Sequence, residues 1–256
     1  MVQTNQTARA VPQARDVLAS GALLLDLDGT LIDFAARPDA VYLPASLLSD
    51  LTFLHDAMAG AVAIVTGRRL DDVDALLAPL RLPIAAEHGG MIRRLPSGEV
   101  SRLPVSVPPP GWDGAGWDAA GRVFAASHPG VVHEMKSAGF VLHYRQAPDL
   151  GDPIRAFLEE LAAGEPGFEI LRAAMAWELR PRGVHKGLGV RSLMAHAPFA
   201  GRTPFFIGDD VTDEDGIGAA EALGGAGFRV ADDFGSPAGV RAWLASLRSA
   251  GHDAAT

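Results

Sequence analysis

The stretch that most constrains the fold is residues 22–31, ALLLDLDGTL, where an apolar run ends in two carboxylates. Such a run is typical of a buried parallel strand, and in open α/β sheets ligands bind beyond the carboxyl ends of the strands. Side chains alternate along a strand, so Asp26 and Asp28 should point to one side while Leu27 returns to the core. Two carboxylates held this close favour a divalent cation between them, and Mg²⁺ prefers oxygen ligands.

Length and composition limit the classes of protein that this chain can represent. Its 256 residues are enough for one large α/β domain, or for a core with a smaller inserted domain. A formal net charge of −9 argues against a nucleic-acid partner and against attachment to an anionic membrane surface. Residues 1–16 lack the apolar core of a signal peptide, and no apolar run is long enough to cross a bilayer. With no cysteine and no long apolar stripe, we expect a cytoplasmic monomer without nucleic-acid or membrane partners.

Two more apolar runs in the first hundred residues end in polar groups. Residues 61–68, AVAIVTGR, predict a second buried strand that ends in Thr66, Gly67 and Arg68. The Thr66 hydroxyl can either bind a phosphoryl oxygen or cap the next helix, and Arg68 can bind an anion or be an ordinary surface arginine. A third strand ends in EHGG, where the two glycines bring the backbone close to the strand ends, and His88 either lines the pocket or is an ordinary structural histidine.

The last third of the chain carries a lysine and a dense acidic run. Lys186 lies in VHKGL, at the start of a predicted helix, and is either a site residue or a routine surface lysine. Residues 203–208 are apolar, and the acidic run GDDVTDED begins at the last of them. Helix capping accounts for the later acidic residues of this run. It does not account for Asp209 and Asp210, which directly follow a buried strand.

A change in composition predicts a second domain from about residue 91 to residue 180. Residues 104–116 are rich in Pro and Gly, and two helical patterns then alternate with four strand-like runs, as in an α+β domain. Glu134 and Lys136 share one strand face, and Arg145 and Glu178 lie at or near the ends of later strands. This face is either solvated or turned toward the other domain, because the opposite face must cover the helices.

In this order, DLDGTL, TGR, HKG and GDDVTDE resemble the four motifs of the haloacid dehalogenase-like phosphohydrolases. The runs HEMK, HYR and WELRPRGVHKG are similar to the trehalose-phosphate phosphatases within that group. The resemblance covers about residues 22–247. It implies an α/β fold with a Rossmann-like parallel sheet core and an inserted α+β cap domain. We expect the core in residues 16–90 and 181–256, the cap that sets substrate specificity in residues 91–180, and a flexible extension in residues 1–15.

The resemblance also implies a role for each site residue. Asp26 would attack phosphorus and form an aspartyl-phosphate, and Asp28 would serve as acid and base. Thr66 and Lys186 would stabilise the transferring group, and Asp210 would orient a water at the metal or Lys186, with Asp213 in support. The expected cofactor is Mg²⁺, held by Asp26, the carbonyl of Asp28, and Asp209. The residues expected at the substrate are Gly67, Arg68, His88, Glu134, Lys136, Arg145 and Glu178.

The function implied by this resemblance is Mg²⁺-dependent hydrolysis of trehalose 6-phosphate to trehalose and phosphate, a step of trehalose biosynthesis. A phosphatase for another small sugar phosphate, such as sucrose phosphate or glucosyl-glycerol phosphate, stays open, since the core motifs are indifferent to the leaving group. Two alternatives belong to other classes. A phosphomutase would pass the phosphoryl group to a sugar, and a non-catalytic sensor would only bind a sugar phosphate.

Overall fold

The computed structural model describes residues 10–33, 41 and 43–255 of the chain. Most of the extension predicted for residues 1–15 lies outside these residues, and its last two residues begin a helix. The described residues form two compact units. Unit 1 contains those up to Ser101 and from His185 onward, and unit 2 is Arg102–Val184.

The described residues form eleven strands and eight α-helices, numbered here in chain order. The strands are β1 (Gly21–Leu25), β2 (Val62–Val65), β3 (Ile84–Ala86), β4 (Met91–Arg93), β5 (Val100–Arg102), β6 (Val132–Lys136), β7 (Gly139–His143), β8 (Phe168–Ala173), β9 (Ala176–Pro181), β10 (Thr203–Gly208) and β11 (Ala226–Arg229). The helices are α1 (Ala14–Ser20), α2 (Ala45–Ala57), α3 (Leu70–Leu77), α4 (Gly114–Ser127), α5 (Gly151–Leu161), α6 (Lys186–Met194), α7 (Glu214–Ala222) and α8 (Pro237–Ala255).

Unit 1 is built on a seven-stranded sheet in the order β11-β10-β1-β2-β3-β4-β5. Five neighbouring strands, from β11 to β3, are parallel. Every residue of β1, β2 and β3 is buried, because Leu, Val, Ile and Ala fill both faces between helices. The parallel pairing brings the residues that follow β1, β2, β3 and β10 to one edge of the sheet. The predicted α/β fold with a mostly parallel sheet is therefore confirmed.

The β4–β5 hairpin makes unit 1 larger than the sequence predicts. Strand β4 pairs antiparallel with β3, and Ile92 is fully buried in that position. Arg93 is also buried, and its guanidinium donates to Asp74 and to the carbonyl of Leu82. These contacts place the division between the units after Ser101 rather than near residue 90. The second division likewise follows Val184 rather than residue 180.

Unit 2 is a four-stranded antiparallel sheet in the order β6-β7-β9-β8 with two helices on one face. Helices α4 and α5 pack on the face that carries Phe140, Leu142 and Leu179, and these side chains form an apolar core with Trp117 and Leu158. The register leaves alternate residues of each strand on the opposite face. The predicted α+β architecture of this unit is thus present.

Among the helices that the structure describes, none combines the length and apolar character needed to cross a membrane.

The central strand β1 should dominate the stability of unit 1. Leu24 is fully buried, so Leu24→Ala is expected to lower the free energy of unfolding by about 2–5 kcal/mol, because lost burial and a cavity add together. Urea unfolding followed by circular dichroism measures this change. The matched control is Leu223→Ala, at a side chain that is 46% exposed, with an expected effect within about 0.5 kcal/mol. Equal losses in the two variants would contradict a core centred on β1.

Candidate active site

Three carboxylates converge at the edge of the sheet of unit 1. Asp26 directly follows β1 and Asp209 directly follows β10, and these strands pair in register with Leu25 opposite Ile207. Asp213 joins them from the turn between β10 and α7. One carboxylate oxygen from each of the three residues lies within 4.8 Å of the others. Asp26 and Asp213 are buried, and Asp209 is partly buried.

A buried lysine ties this cluster together. Lys186 is the first residue of α6, and its Nζ donates to Asp26 Oδ1 at 2.6 Å and to Asp213 Oδ1 at 2.6 Å. The Thr30 hydroxyl donates to the other oxygen, Asp26 Oδ2, at 3.1 Å, and lies 3.4 Å from Asp209 Oδ1. Each oxygen of Asp26 therefore has a donor that fixes its direction.

The electrostatics of the cluster are dominated by burial and by an excess of negative charge. Burial raises the pKa of Asp26 well above its usual value, and the nearby carboxylates of Asp213 and Asp209 raise it further. The ammonium of Lys186 opposes this shift. Burial and Asp213 raise the pKa of Asp209 to about 6. Burial alone would lower the pKa of Lys186, but the carboxylates of Asp26 and Asp213 outweigh burial and raise this pKa above its usual value. One ammonium thus faces three carboxylates.

The donor set fits a divalent cation. Carboxylate oxygens are the ligands that Mg²⁺ and related hard cations prefer, and a cation would relieve the repulsion that raises the pKa values of Asp26 and Asp209. Asp26 and Asp209 of the predicted ligand set lie in this cluster, and Asp213 adds a third carboxylate. The main-chain carbonyl of Asp28 stays a predicted ligand.

Asp28 forms a two-point ion pair with Arg68. The Arg68 Nε lies 2.6 Å from Asp28 Oδ2, and Nη2 lies 2.7 Å from Oδ1. The resemblance assigns Arg68 to the substrate, which stays a prediction, and in this structure its guanidinium binds the side chain of the expected acid and base. Such planar, two-point pairing fixes the orientation of a carboxylate more strongly than a single lysine contact does.

The turn after β2 places Thr66, Gly67 and His88 next to one another. Thr66 is buried, and its hydroxyl oxygen accepts a hydrogen bond from the Arg68 amide at 3.1 Å. The alternative that Thr66 caps a helix is wrong, because α3 begins at Leu70 with Arg69 as its N-cap. A Cβ on Gly67 would lie 2.6 Å from His88 Nε2, so a larger residue here would displace the His88 ring.

Two residues with left-handed backbone hold that turn in place. Glu87 has φ +49° and His88 has φ +56°, conformations that cost energy for residues with a side chain. The His88 amide donates to the Thr66 carbonyl at 2.9 Å, and the Glu87 amide donates to the Arg68 carbonyl at 3.0 Å. The strained pair therefore braces the turn that carries Thr66 and Arg68.

Asp210 is predicted to orient either a water at the metal or Lys186, and the carboxylate that contacts Lys186 in this structure is that of Asp213, which is expected only in support. The carboxylate of Asp210 instead accepts from the Val211 amide at 2.6 Å and caps the turn that follows β10. The second oxygen of Asp213 accepts from the amides of Asp209 and Asp210, each at 3.1 Å. Asp213 thus supports the turn and fixes Lys186 at the same time.

In unit 2, most of the predicted substrate residues share the sheet face opposite the helices. Glu134 is paired across the strands with Val141, which is paired with Glu178, so both carboxylates point to the same side. Lys136 lies on that face too, and its ammonium donates to Glu134 Oε1. Arg145 is exposed, two residues after the end of β7.

Sequence reasoning missed His143 in unit 2. In unit 1 it gave Asp213 only a supporting role and did not predict the hydrogen bond from Thr30 to Asp26. The Nε2 atom of His143 lies 2.7 Å from Glu134 Oε2. Alternation along β7 places His143 on the face of Glu134, and that alternation is a signal the sequence did contain.

The raised pKa of Asp209 predicts how pH changes stability when no metal is bound. A folded pKa of about 6 against an ordinary 3.8 means that the folded chain binds more protons than the unfolded chain between these values. Stability contributed by Asp209 should therefore fall as pH rises from about 4 to about 6. In chelator, urea unfolding should show wild type losing stability relative to Asp209→Asn over this interval. A constant difference between the two proteins would contradict the assignment.

Comparison with known proteins agrees with this geometry. A sequence model described as trehalose-phosphatase matches residues 24–222 of the chain. The trehalose-6-phosphate phosphatase of Escherichia coli strain K12 is 35% identical over 238 residues, which cover 92% of this chain and 84% of that protein. A Sinorhizobium fredii protein named "Probable trehalose-phosphate phosphatase" is 39% identical over 234 residues, covering 91% of this chain and 84% of its own.

A solved structure shares the fold. The C-terminal domain of the trehalose-6-phosphate phosphatase of C. albicans has a TM-score of 0.75 at 23% identity, covering 92% of this chain and 95% of that one. The family model spans well over half of the sequence, and the resemblance inferred from the motifs is confirmed, together with the enzyme class of phosphoric monoester hydrolases. The chain belongs to the trehalose-phosphatase family.

Proposed function

We propose that this protein hydrolyses trehalose 6-phosphate to trehalose and inorganic phosphate through an aspartyl-phosphate on Asp26. The observation that carries the proposal is the buried cluster in which Lys186 holds Asp26 beside Asp209 and Asp213. A protein that only bound sugar phosphate would have no use for an oriented carboxylate nucleophile there. We also propose that the enzyme is a cytoplasmic monomer that depends on Mg²⁺.

In the first step, a carboxylate oxygen of Asp26 attacks phosphorus, and the bond from phosphorus to the sugar oxygen breaks. Lys186 and Thr30 fix the attacking group, since each donates to a different oxygen of Asp26. Asp28 delivers a proton to the departing sugar oxygen, because an alkoxide is a poor leaving group at neutral pH. The products of this step are free trehalose and phosphorylated Asp26.

In the second step, Asp28 takes a proton from the water that attacks the aspartyl-phosphate, and this regenerates Asp26. Arg68 keeps the Asp28 carboxylate oriented through its two-point ion pair. Thr66 and the backbone amides of residues 27–30 would bind the phosphoryl oxygens in both steps. Gly67 and His88, which approach each other closely in the turn, would line the phosphate end of the site.

Asp26, Asp209 and Asp213, with the proposed carbonyl of Asp28, would hold the divalent cation. When bound, this cation would supply positive charge that draws electron density from the phosphoryl oxygens, so that two anionic groups can approach. Asp210 caps the turn that presents Asp209 and could still orient water nearby.

We further propose that unit 2 is the cap that selects the sugar. Its charged face offers carboxylates and an ammonium, which suits hydroxyl groups because these both donate and accept hydrogen bonds. Glu134, Lys136, Arg145 and Glu178 are the proposed contacts. The two carboxylates lie on a single face, on strands β6 and β9 with β7 between them, so separate hydroxyls of one disaccharide could reach both of them.

Phosphate release from a panel of sugar phosphates tests the proposed function directly. We expect strong preference for trehalose 6-phosphate over sucrose phosphate and glucosyl-glycerol phosphate, and loss of turnover with chelator or in Asp26→Asn. Turnover of another ester alone would keep the chemistry and discard the substrate. Activity that requires an added sugar bisphosphate would indicate a phosphomutase, and metal-supplemented protein without turnover of any ester would indicate a sensor.

The role of Asp28 predicts a difference between leaving groups. In Asp28→Asn no proton reaches the sugar oxygen, so turnover of trehalose 6-phosphate should fall by about 10²–10⁴-fold. The p-nitrophenolate group leaves without a proton, so p-nitrophenyl phosphate should give a burst of one equivalent and then stall with Asp26 phosphorylated. Stopped-flow absorbance and intact-protein mass spectrometry measure the two effects. Asp26→Asn should show no burst, and steady wild-type turnover by Asp28→Asn would remove Asp28 from acid–base chemistry.

A further inference from the structure

The open face of the sheet in unit 2 carries a histidine beside the proposed sugar contacts. In the antiparallel pair β6–β7, His143 lies opposite Val132, and Glu134 lies opposite Val141. His143 and Glu134 are therefore diagonal neighbours on the same face, within reach of each other for long side chains. The helices α4 and α5 pack on the other face, so this pair does not belong to the apolar core of unit 2.

His143 and Lys136 divide the two oxygens of Glu134 between them. His143 Nε2 lies 2.7 Å from Oε2, while the Lys136 ammonium donates to Oε1. An ionised carboxylate only accepts hydrogen bonds, so the hydrogen bond requires the proton of His143 to reside on Nε2. Burial would raise the pKa of Glu134, but the hydrogen bonds from His143 and Lys136 outweigh it and lower that pKa to about 2.

Two donors on opposite oxygens fix how the carboxylate of Glu134 is turned. With Lys136 alone, the group could rotate about its last torsion, which has a broad energy minimum for Glu, and keep that one contact. The second donor, His143, removes this freedom. A carboxylate has about four lone-pair sites, so two bonds to protein still leave acceptor sites for ligand hydroxyls.

We propose that His143 is a positioning residue for sugar recognition, because it sets the direction in which Glu134 presents its remaining acceptor sites to a sugar hydroxyl. This inference rests on the proposed function and deepens it. It treats the cluster of Glu134, Lys136 and His143 as one unit that recognises the sugar, separate from the groups that act on phosphorus.

Steady-state kinetics with two esters separate this role from a structural one. Phenylalanine keeps the size of the ring but cannot donate, so His143→Phe should raise the KM for trehalose 6-phosphate about tenfold, the expected effect of one charge-assisted hydrogen bond. For p-nitrophenyl phosphate, which has no sugar, kcat/KM should stay within about twofold, since positioning affects only sugar contacts. His143→Gln places an amide donor near the Nε2 position and should regain most of the affinity. The exposed His196 provides the control His196→Gln, with no expected change.

A double-mutant cycle identifies the residue through which His143 acts. If it acts through Glu134, His143→Phe should cause no further rise of KM in a Glu134→Gln background. The proposal would be overturned if the two substitutions raised KM additively, or if kcat/KM fell equally for trehalose 6-phosphate and p-nitrophenyl phosphate. The thermal unfolding midpoint of each variant shows whether its loss of activity results from a less stable fold.

A measurement without substrate keeps this test apart from that of the proposed function. Long-range ¹H–¹⁵N spectra of the histidine rings should show His143 protonated at Nε2, with a shift of that resonance in Glu134→Gln. Absence of the shift would overturn the pairing, whatever the enzyme hydrolyses. If wild type hydrolyses p-nitrophenyl phosphate but no sugar phosphate, the proposed function and the role of His143 in sugar recognition both fail. The spectra would then still decide whether the pair exists.

Discussion

The structure of unit 1 depends on the ammonium of Lys186 between Asp26 and Asp213. Burying an ionised group costs several kcal/mol, and this cost is offset only by a close opposite charge with good hydrogen bonds. The two contacts of Lys186 at 2.6 Å provide this for residues from three distant parts of the chain. They join the end of β1, the start of α6 and the turn after β10. Since one ammonium cannot balance three carboxylates, the same arrangement that binds the chain together also leaves a place for a cation.

Parallel strands explain why much of this site can be predicted from sequence. A buried run followed at once by polar residues identifies a strand end, and parallel pairing brings Asp26, Thr66 and Asp209 to one edge. The sequence does not tell which acidic residue of GDDVTDED turns inward. The backbone of the turn after β10 determines it: the Asp213 carboxylate accepts hydrogen bonds from two main-chain amides, and the Asp210 carboxylate caps the turn through the Val211 amide. Both residues satisfy the same pattern, and only the backbone of the turn separates them.

Pairing across strands sets a second limit on what sequence can show. The composition of residues 104–116 indicates a boundary close to the division after Ser101, whereas the expected boundary at residue 91 would separate β4 from the sheet in which Ile92 and Arg93 are buried. For His143, the alternation of side chains along β7 predicts which face of the sheet it lies on, but it does not predict which residue of β6 is its neighbour. A slip of one residue between β6 and β7 would turn one strand over and separate His143 from Glu134. The same limit applies to Arg68, whose partner Asp28 lies forty positions away in the chain.

The two charged clusters differ in their balance of charge. In unit 1 the carboxylates outnumber the ammonium of Lys186, and the divalent cation proposed there would offset this excess of negative charge. In unit 2 two carboxylates of the sheet are paired with cationic or donor groups: Glu134 has Lys136 and His143, and Glu169 has Arg180 at 3.1 Å. Matched pairs present donors and acceptors with little net field, as neutral hydroxyl groups require. If the proposed function is correct, the metal governs the chemistry at phosphorus, while the geometry of these pairs governs which sugar is accepted.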